Sequence, residues 1–261
     1  MNKYKRVVLK IGSSLVSEDH NLSKKRIIDL SNQISTAIKN GIDFVIVTSG
    51  AISQGMNLLG INERPSDLNT LQALAAIGQQ QLMSMYENIF KKLNLKIAQV
   101  LLTHGDMNDK ERCANAKNTI RKILKLKVIP IINENDVVAT EEIKFGDNDT
   151  LASMVVNLID ADLMIILTNQ DGLFDKNPDK HNDAKLINEC NILEIDDTKF
   201  NIDSKSKYGT GGFETKLKSV KIAANSGAVS VVASGSADNV INKILNHESI
   251  GTIFTTTKNQ D

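Results

Sequence analysis

Short apolar runs alternate with longer helical patterns along most of this chain. Strands that are covered on both faces by helices are apolar nearly throughout, whereas helices repeat an apolar residue every three or four positions. The predicted strands are Arg6–Ile11, Asp43–Thr48, Lys96–Leu102, Val128–Ile132, Leu163–Thr168, Val229–Ala233 and Thr252–Phe254. The predicted helices are Ser23–Asn40, Ser66–Leu93, Asn108–Lys125, Asp149–Ala161, Glu214–Ser226 and Asn239–Asn246. This order predicts an α/β fold, a three-layer αβα sandwich with a mainly parallel central sheet.

Turn and cap residues lie at the ends of the predicted elements and between them. Ser66, which follows Pro65, is a predicted N-cap, and Gly41 and Gly227 stand where helix-terminating glycines are expected. The polar, turn-rich stretch from 169 to 212 predicts a lobe beside a ligand rather than a linker, since periodic structure resumes directly after it.

Composition excludes several classes of protein. The 261 residues carry 31 basic and 31 acidic side chains, so there is no basic excess of the kind that nucleic-acid binders show. No apolar run approaches the length of a membrane span, and the N-terminus runs straight into a strand without a secretory signal. The two cysteines, Cys113 and Cys190, have no partner motif and suit a reducing cytoplasm.

Polar clusters follow four of the predicted strands. They are Lys10–Ser14, Thr48–Ala51, Asn133–Asp136 and Thr168–Asp171. Any one of them is explained by turn chemistry, but ligands of open α/β sheets gather at the carboxyl ends of strands. Four such clusters therefore predict a shared site.

Glycines and lysines in these loops indicate a phosphate ligand. Gly12, Gly50 and the pair Gly211-Gly212 would let backbone N–H groups approach phosphate oxygens, and Lys10 and Lys216 add positive charge. Neither a G-x-x-x-x-G-K-[ST] loop nor a G-x-G-x-x-G fingerprint is present, so a nucleotide would be bound by another scheme and a dinucleotide-dependent oxidoreductase is disfavoured.

The four scattered histidines share no metal-ligand spacing and no nucleophile context, so the expected metal site on the protein is none. A reaction without a general base needs a nucleophile that is already deprotonated, such as a carboxylate. Phosphorylating a carboxylate requires positioning and charge neutralisation, which lysines and Mg²⁺ supply. Asp149 either caps the helix that follows it or holds the two ammonium groups in register.

These stretches together resemble the glutamate 5-kinase branch of the amino acid kinase family. The resemblance rests on Val8–Ser14, Val47–Ala51, Ile132–Asp136, Phe145–Asp149 and Thr210–Lys216, and it runs from the first strand to the last. It implies transfer of the ATP γ-phosphoryl to the γ-carboxylate of L-glutamate, the step that opens proline biosynthesis.

The resemblance also implies roles for individual residues. Lys10, Lys216 and Asp149 would be catalytic, and Ser49, Asp136 and Asn148 would bind glutamate. The ATP site would comprise Lys10, Thr168, Asn169, Thr210, Gly211, Gly212, Phe213, Glu214, Thr215 and Lys216. Asn169 and Phe213 depart from the Asp and Met usual in the family.

Further expectations follow from the same likeness. Residues 1–261 would form one amino acid kinase domain, mainly glutamate-binding in its N-terminal part and ATP-binding from about residue 163, without the PUA domain of many relatives. Mg²⁺ would be bound by the ATP phosphates, and proline would inhibit the enzyme at the glutamate site. The protein partners would be further copies of the chain and glutamate-5-semialdehyde dehydrogenase. The protein would act in the cytoplasm.

Two alternatives stay open. One is a different amino acid kinase, acting on acetylglutamate, aspartate, carbamate or UMP. An acid that receives the α-ammonium group, as Asp136 would, argues against an N-acetylated substrate. The other is a non-catalytic amino acid or nucleotide sensor, which would be expected to lack a lysine or the organising acid.

Overall fold

The computed structural model describes residues 3–17, 20–139, 148–176, 178, 181–192 and 213–256. The strands in this part of the chain are β1 Arg6–Ile11, β2 Asp43–Val47, β3 Lys96–Leu102, β4 Val128–Glu134, β5 Leu163–Thr168, β6 Leu173–Phe174, β7 Leu186–Ile187, β8 Glu189–Asn191, β9 Val229–Ser234 and β10 Thr252–Thr255. The helices are α1 Ser14–Ser17, α2 His20–Lys39, α3 Ala51–Leu59, α4 Leu68–Lys92, α5 His104–Asn108, α6 Lys110–Lys125, α7 Asn148–Ile159, α8 Phe213–Ala224 and α9 Val240–Leu245.

Eight of these strands form one sheet in the order β3-β4-β2-β1-β5-β9-β10-β8. Neighbouring strands run parallel except β9 and β10, which are antiparallel. In β1, Lys10 lies opposite Val47 of β2 and Ile166 of β5, so the lysine sits at the middle of the sheet. The mainly parallel sheet that the sequence predicts is confirmed.

Helices cover both faces of the sheet. One core contains Leu9 of β1 with apolar residues of α2, α4 and α9, and the other contains Val8 with residues of α6, α7 and α8. Because side chains alternate between the faces of a strand, each buried strand contributes to both cores. This explains the unbroken apolar runs of the sequence and confirms the αβα sandwich.

Several predicted boundaries match and others need correction. β1, β3 and β5 begin and end where the sequence places them, and Gly41 and Gly227 adopt positive φ at helix ends. The predicted N-cap Ser66 is wrong, because the Asp67 carboxylate accepts the hydrogen bond from the Thr70 N–H at 2.8 Å.

The predicted helix Asn108–Lys125 corresponds to α6, which begins at Lys110, and a short helix that was not predicted, α5, precedes it. Asp109 caps α6 through the Arg112 N–H, while Thr103 and Asp106 form a capping box that starts the separate helix α5. Helix α3 was not predicted. It contains Gly55, and glycine is a weak helix former in isolation.

Gly55 has a tertiary reason to be in α3. A Cβ atom at Gly55 would lie 2.1 Å from the Leu74 carbonyl oxygen, and one at Gly78 of α4 would lie 1.8 Å from the Ala51 carbonyl oxygen. The two helix backbones therefore touch at this crossing, and only glycine permits the approach. The contact fixes α4 against the start of α3.

The turn-rich stretch after β5 contains β6 and β7, which pair with each other, and β8, which joins the edge of the main sheet beside β10. Its remainder, from 193 to 212, lies outside the described residues. Within the described part of the chain, no helix has the length and apolar character needed to cross a bilayer.

Candidate active site

The four polar clusters lie together at the end of the sheet where four parallel strands have their carboxyl ends. The strands that precede them, β4, β2, β1 and β5, are consecutive neighbours in the sheet, and all four are parallel. Their carboxyl ends therefore open on a common crevice, the usual ligand site of an open α/β sheet.

Strand alternation decides where Lys10 points. Lys10 lies two residues after Val8, so both side chains leave β1 on the face that α7 and α8 cover. Asp149 is in the first turn of α7, and Lys216 is in the first turn of α8. Two helix starts and one strand end thus bring together three residues that are far apart in the sequence.

These three residues form what we call the lysine–aspartate cluster. Lys10 Nζ lies 2.5 Å from Asp149 Oδ1, and Lys216 Nζ lies 3.2 Å from Asp149 Oδ2. Asp149 is fully buried, and the two lysines are nearly so, at 8% and 9% exposure. Each carboxylate oxygen therefore holds one ammonium group, as the organising interpretation of Asp149 requires.

The net charge of the lysine–aspartate cluster suits an anionic ligand. Burial alone would raise the pKa of Asp149, but the ammonium groups of Lys10 and Lys216 outweigh it and hold that pKa below its ordinary value. Two positive charges against one negative leave a net positive charge at the crevice. An incoming phosphoryl group would meet both lysines in a fixed arrangement.

Asn148, beside Asp149, belongs to a set of hydrogen-bonded amides that we call the amide network: Gln79, Asn133 and Asn148 with the Thr48 carbonyl. Asn148 Nδ2 donates to the Thr48 carbonyl at 2.5 Å and to Asn133 Oδ1 at 2.7 Å. Asn133 Oδ1 also accepts from the Glu134 N–H at 2.9 Å, and Asn133 Nδ2 donates to Gln79 Oε1 at 2.8 Å. The network ties the ends of β2 and β4 to α7 and α4.

Ser49 lies next to this network, in the turn between β2 and α3. Its hydroxyl is buried and has no hydrogen-bond partner among the described residues. Gly50 adopts φ of 103° as the N-cap residue of α3, so the turn brings Ser49 close to the free N–H groups of a helix start. A hydroxyl and N–H groups at this position suit a carboxylate.

Asp136 belongs to neither the lysine–aspartate cluster nor the amide network. It lines a cavity of about 640 Å³ between the loop after β4 and helix α4, to which Gln79, Glu87 and Glu134 also contribute. We call it the acidic cavity. Burial, and secondarily the charge of Glu134, raise the pKa of Asp136 to about 6, although Arg64 opposes the shift. An acid with this pKa favours a cationic neighbour.

The residues predicted to bind ATP are only partly placed. Thr168 is buried at the end of β5 and donates to Asn169 Oδ1 at 3.2 Å, so the Asn in place of the family's Asp keeps a local hydrogen bond. Glu214 is exposed and Thr215 half-buried beside Lys216 in α8. Thr210, Gly211 and Gly212 lie outside the described residues, and Phe213 is described only as the first residue of α8.

Sequence reasoning assigned no individual role to four residues near the site. Asn133 and Gln79 build the amide network. Glu134 is 5% exposed, and its Oε2 lies 3.4 Å from His104 Nδ1. The run Asn133–Asp136 was the available signal for two of them. The sequence offers no signal for His104, whose pairing with a buried acid was not predicted.

Metal ligands do not cluster in the described ranges, where no group of three or more His, Cys, Asp or Glu side chains is arranged to hold an ion. Asp149, the buried carboxylate nearest the expected phosphates, already contacts both lysines.

Comparison with known proteins identifies the relationship. The family model described as "Amino acid kinase family" matches residues 5–234. The chain belongs to the amino acid kinase family. The chain is 44% identical over 253 residues to the glutamate 5-kinase of Hydrogenovibrio crunogenus, covering 97% of this chain and 67% of that protein. It is 46% identical over 257 residues to the glutamate 5-kinase of Caldanaerobacter subterraneus subsp. tengcongensis, covering 97% and 68% respectively.

Solved structures of other kinases share the fold. A UMP kinase from Bacillus anthracis superposes with a TM-score of 0.67 at 17% identity, covering 98% of this chain and 97% of that one. An isopentenyl phosphate kinase gives a TM-score of 0.66, also at 17% identity, covering 96% of this chain and all of the other. At 17% identity, these similarities show only that the fold is shared.

Proposed function

We propose that this member of the amino acid kinase family transfers the γ-phosphoryl group of ATP to the γ-carboxylate of L-glutamate, the first step of proline biosynthesis. The observation that carries the proposal is the pairing of adjacent residues: Asp149 holds Lys10 and Lys216, while Asn148 joins the amide network. A site suited to the transferred phosphoryl group is therefore next to a site suited to an amino acid. Relatives of 44–46% identity are named glutamate 5-kinase.

The reaction needs no general base. The γ-carboxylate of glutamate, whose ordinary pKa is about 4.3, is ionised at neutral pH. One of its oxygens attacks the γ-phosphorus, the bond from that phosphorus to the bridging oxygen breaks, and ADP leaves with that oxygen. Lys10 and Lys216 stabilise the charge on the transferred group, and Asp149 keeps their ammonium groups in register.

ATP would lie over the C-terminal half of the chain, from about residue 163. Thr168, Asn169 and residues 210–216 would line its site. Mg²⁺ would be bound by the ATP phosphates and not by Asp149, since that carboxylate already contacts the two lysines. When bound, the ion adds positive charge on the phosphates.

Glutamate would lie over the N-terminal half of the chain. The unpartnered hydroxyl of Ser49, at the start of α3, suits its α-carboxylate, and Asn148 and Asp136 suit its α-ammonium group. Asp136 lines the acidic cavity rather than contacting Ser49, so the ligand would extend from the crevice toward that cavity. Proline, which shares an α-carboxylate and an ammonium group with glutamate, would compete for this position.

Three further features belong to the same proposal. The protein would act in the cytoplasm and form a homo-oligomer, and its acyl phosphate product would be consumed by glutamate-5-semialdehyde dehydrogenase. The apolar stripe of α4 is buried within the protein, including Leu71, Leu82 and Phe90, so a contact between copies would use another surface.

The test is ADP release by the purified protein with MgATP and hydroxylamine, which traps an acyl phosphate as a hydroxamate. L-Glutamate, N-acetylglutamate, aspartate, carbamate and UMP are compared with no acceptor. Turnover with glutamate, with hydroxamate formed in equal amount, is expected. Turnover with another acceptor would contradict the assigned substrate, and no turnover with any acceptor would favour a sensor.

Proline inhibition is tested in the same assay. At subsaturating glutamate, added proline is expected to lower the rate, and raising glutamate is expected to restore it. An unchanged rate at high proline would contradict inhibition at this site.

A further inference from the structure

The amide network has one self-consistent orientation. The Thr48 carbonyl can only accept, so the Asn148 atom that faces it is the nitrogen; the Glu134 N–H can only donate, so the Asn133 atom that faces it is the oxygen. A flipped Asn148 would direct its oxygen at the Thr48 carbonyl and at Asn133 Oδ1, two acceptors. Backbone groups at both ends therefore decide which atom of each amide lies where.

This orientation determines what Asn148 offers to a ligand. Both hydrogens of its Nδ2 are used, one by the Thr48 carbonyl and one by Asn133. The atom that remains is Oδ1, an acceptor, which suits an ammonium group and not a carboxylate or phosphate. The polarity of Asn148 is thus matched to one end of an amino acid.

Asn133 needs a fixed acceptor on its other side. Gln79 Oε1 supplies it at 2.8 Å, and Gln79 is 54 positions away in the sequence, on α4. The preceding residue, Gly78, lies against the Ala51 carbonyl where α3 and α4 touch, so the helix cannot shift easily at this point. Gln79 is half-buried at the wall of the acidic cavity, and its own Nε2 donates to Gln99 at 3.3 Å.

We propose that Gln79 is a positioning residue for substrate recognition: through Asn133 it keeps the Asn148 carbonyl oxygen directed at the ammonium group of the amino-acid substrate. The inference rests on the proposed function, because it assumes a substrate with a free α-amine. Gln79 itself touches no reacting atom, and it acts through the two asparagines.

Three variants test the role of Gln79. Gln79→Met keeps the length of the side chain and its helix propensity but removes the acceptor, whereas Gln79→Glu keeps an acceptor at the same place. Gln81→Met makes the same chemical change on the same helix, at an exposed residue outside the acidic cavity. The KM for glutamate, the KM for MgATP, kcat and the melting temperature are measured for each at pH 8, where Asp136 is ionised.

We expect Gln79→Met to raise the glutamate KM about tenfold, in line with loss of a well-aligned hydrogen bond to a charged group. Its kcat and MgATP KM should stay within about twofold of the wild-type values, and Gln79→Glu and Gln81→Met should resemble the wild type. The Ki of glutarate, which lacks the ammonium group, should not change in Gln79→Met. A purely structural role would weaken both ligands.

Several results would overturn the inference. They are an unchanged glutamate KM in Gln79→Met, an equal rise in Gln79→Glu or Gln81→Met, and an equal weakening of glutarate binding. If Gln79→Met does not fold, Gln79→Leu serves the same comparison. Absence of turnover with glutamate in the wild type would instead refute the proposed function, so the two failures are distinguishable.

Discussion

The lysine–aspartate cluster and the acidic cavity are both buried groups of charges near one end of the sheet, yet their charge balance is opposite. In the cluster, two ammonium groups surround one carboxylate, and the pKa of Asp149 is lowered despite burial. In the cavity, Glu134 and Asp136 lie near each other, and the pKa of Asp136 is raised to about 6. The first region has surplus positive charge and the second has surplus negative charge.

The difference shows how one crevice can bind a substrate with opposite charges at its two ends. Surplus positive charge stabilises a phosphoryl group as it moves, and therefore acts on the rate of the chemical step. Surplus negative charge stabilises an ammonium group equally before and during reaction, and therefore acts on binding. Asn148, adjacent to Asp149 in the chain, connects the cluster to the wall of the cavity through Asn133 and Gln79.

The largest expected effect is in the lysine–aspartate cluster. Lys216→Met should lower kcat about 10²- to 10³-fold, because it removes a positioned charge from the transition state, and should leave the glutamate KM within a few-fold of the wild-type value. Lys10→Met should change kcat and the glutamate KM in the same way. Steady-state kinetics would show this, with the exposed Lys218→Met as the matched control. A Lys216→Met protein with nearly wild-type kcat would exclude that lysine from catalysis.

In the acidic cavity, Asp136→Asn should raise the glutamate KM about 10- to 100-fold with little change in kcat, since an ion-paired hydrogen bond to the substrate is lost. Asp171→Asn, at an exposed position after β5, is the control. If the KM did not change, Asp136 would have no role in recognition, and the comparison of the two regions would fail.

The pH dependence of binding should follow Asp136. Its raised pKa means that the carboxylate is protonated, and cannot attract an ammonium group, as the pH falls through about 6. The glutamate KM should therefore rise up to about tenfold per pH unit below 6 and stay level above it. Measurements between pH 5 and 8 on the wild type and Asp136→Asn would test this. A variant profile as steep as that of the wild type would assign the titration to another group.

A smaller effect is expected at His104, whose Nδ1 lies 3.4 Å from the buried Glu134 carboxylate. His104→Gln should lower the free energy of unfolding by about 2 kcal/mol, because the buried Glu134 carboxylate would lose the imidazole that lies beside it. His104→Arg should remain within about 1 kcal/mol of the wild type, since a guanidinium offers Glu134 N–H donors and a positive charge. Urea denaturation would compare them, and equal losses would show that pairing with Glu134 is not the reason.

The two regions also differ in how far the sequence predicts them. Lys10 and Asp149 could be placed because strand alternation and a helix start are local properties, and parallel strands align their carboxyl ends. Gln79 could not be placed, because nothing in the periodicity of α4 indicates which of its polar residues meets Asn133. Helix α3 was missed because the glycine that lets it touch α4 weakens the local helical signal.

The most direct test of the charge comparison measures glutamate binding by calorimetry at pH 8, without turnover. The proteins compared are the wild type, Lys216→Met and Asp136→Asn. We predict that Lys216→Met binds glutamate within about threefold of the wild-type Kd, whereas Asp136→Asn binds it at least about tenfold more weakly. Weak binding to Lys216→Met together with normal binding to Asp136→Asn would contradict the division between a catalytic cluster and a recognition cavity.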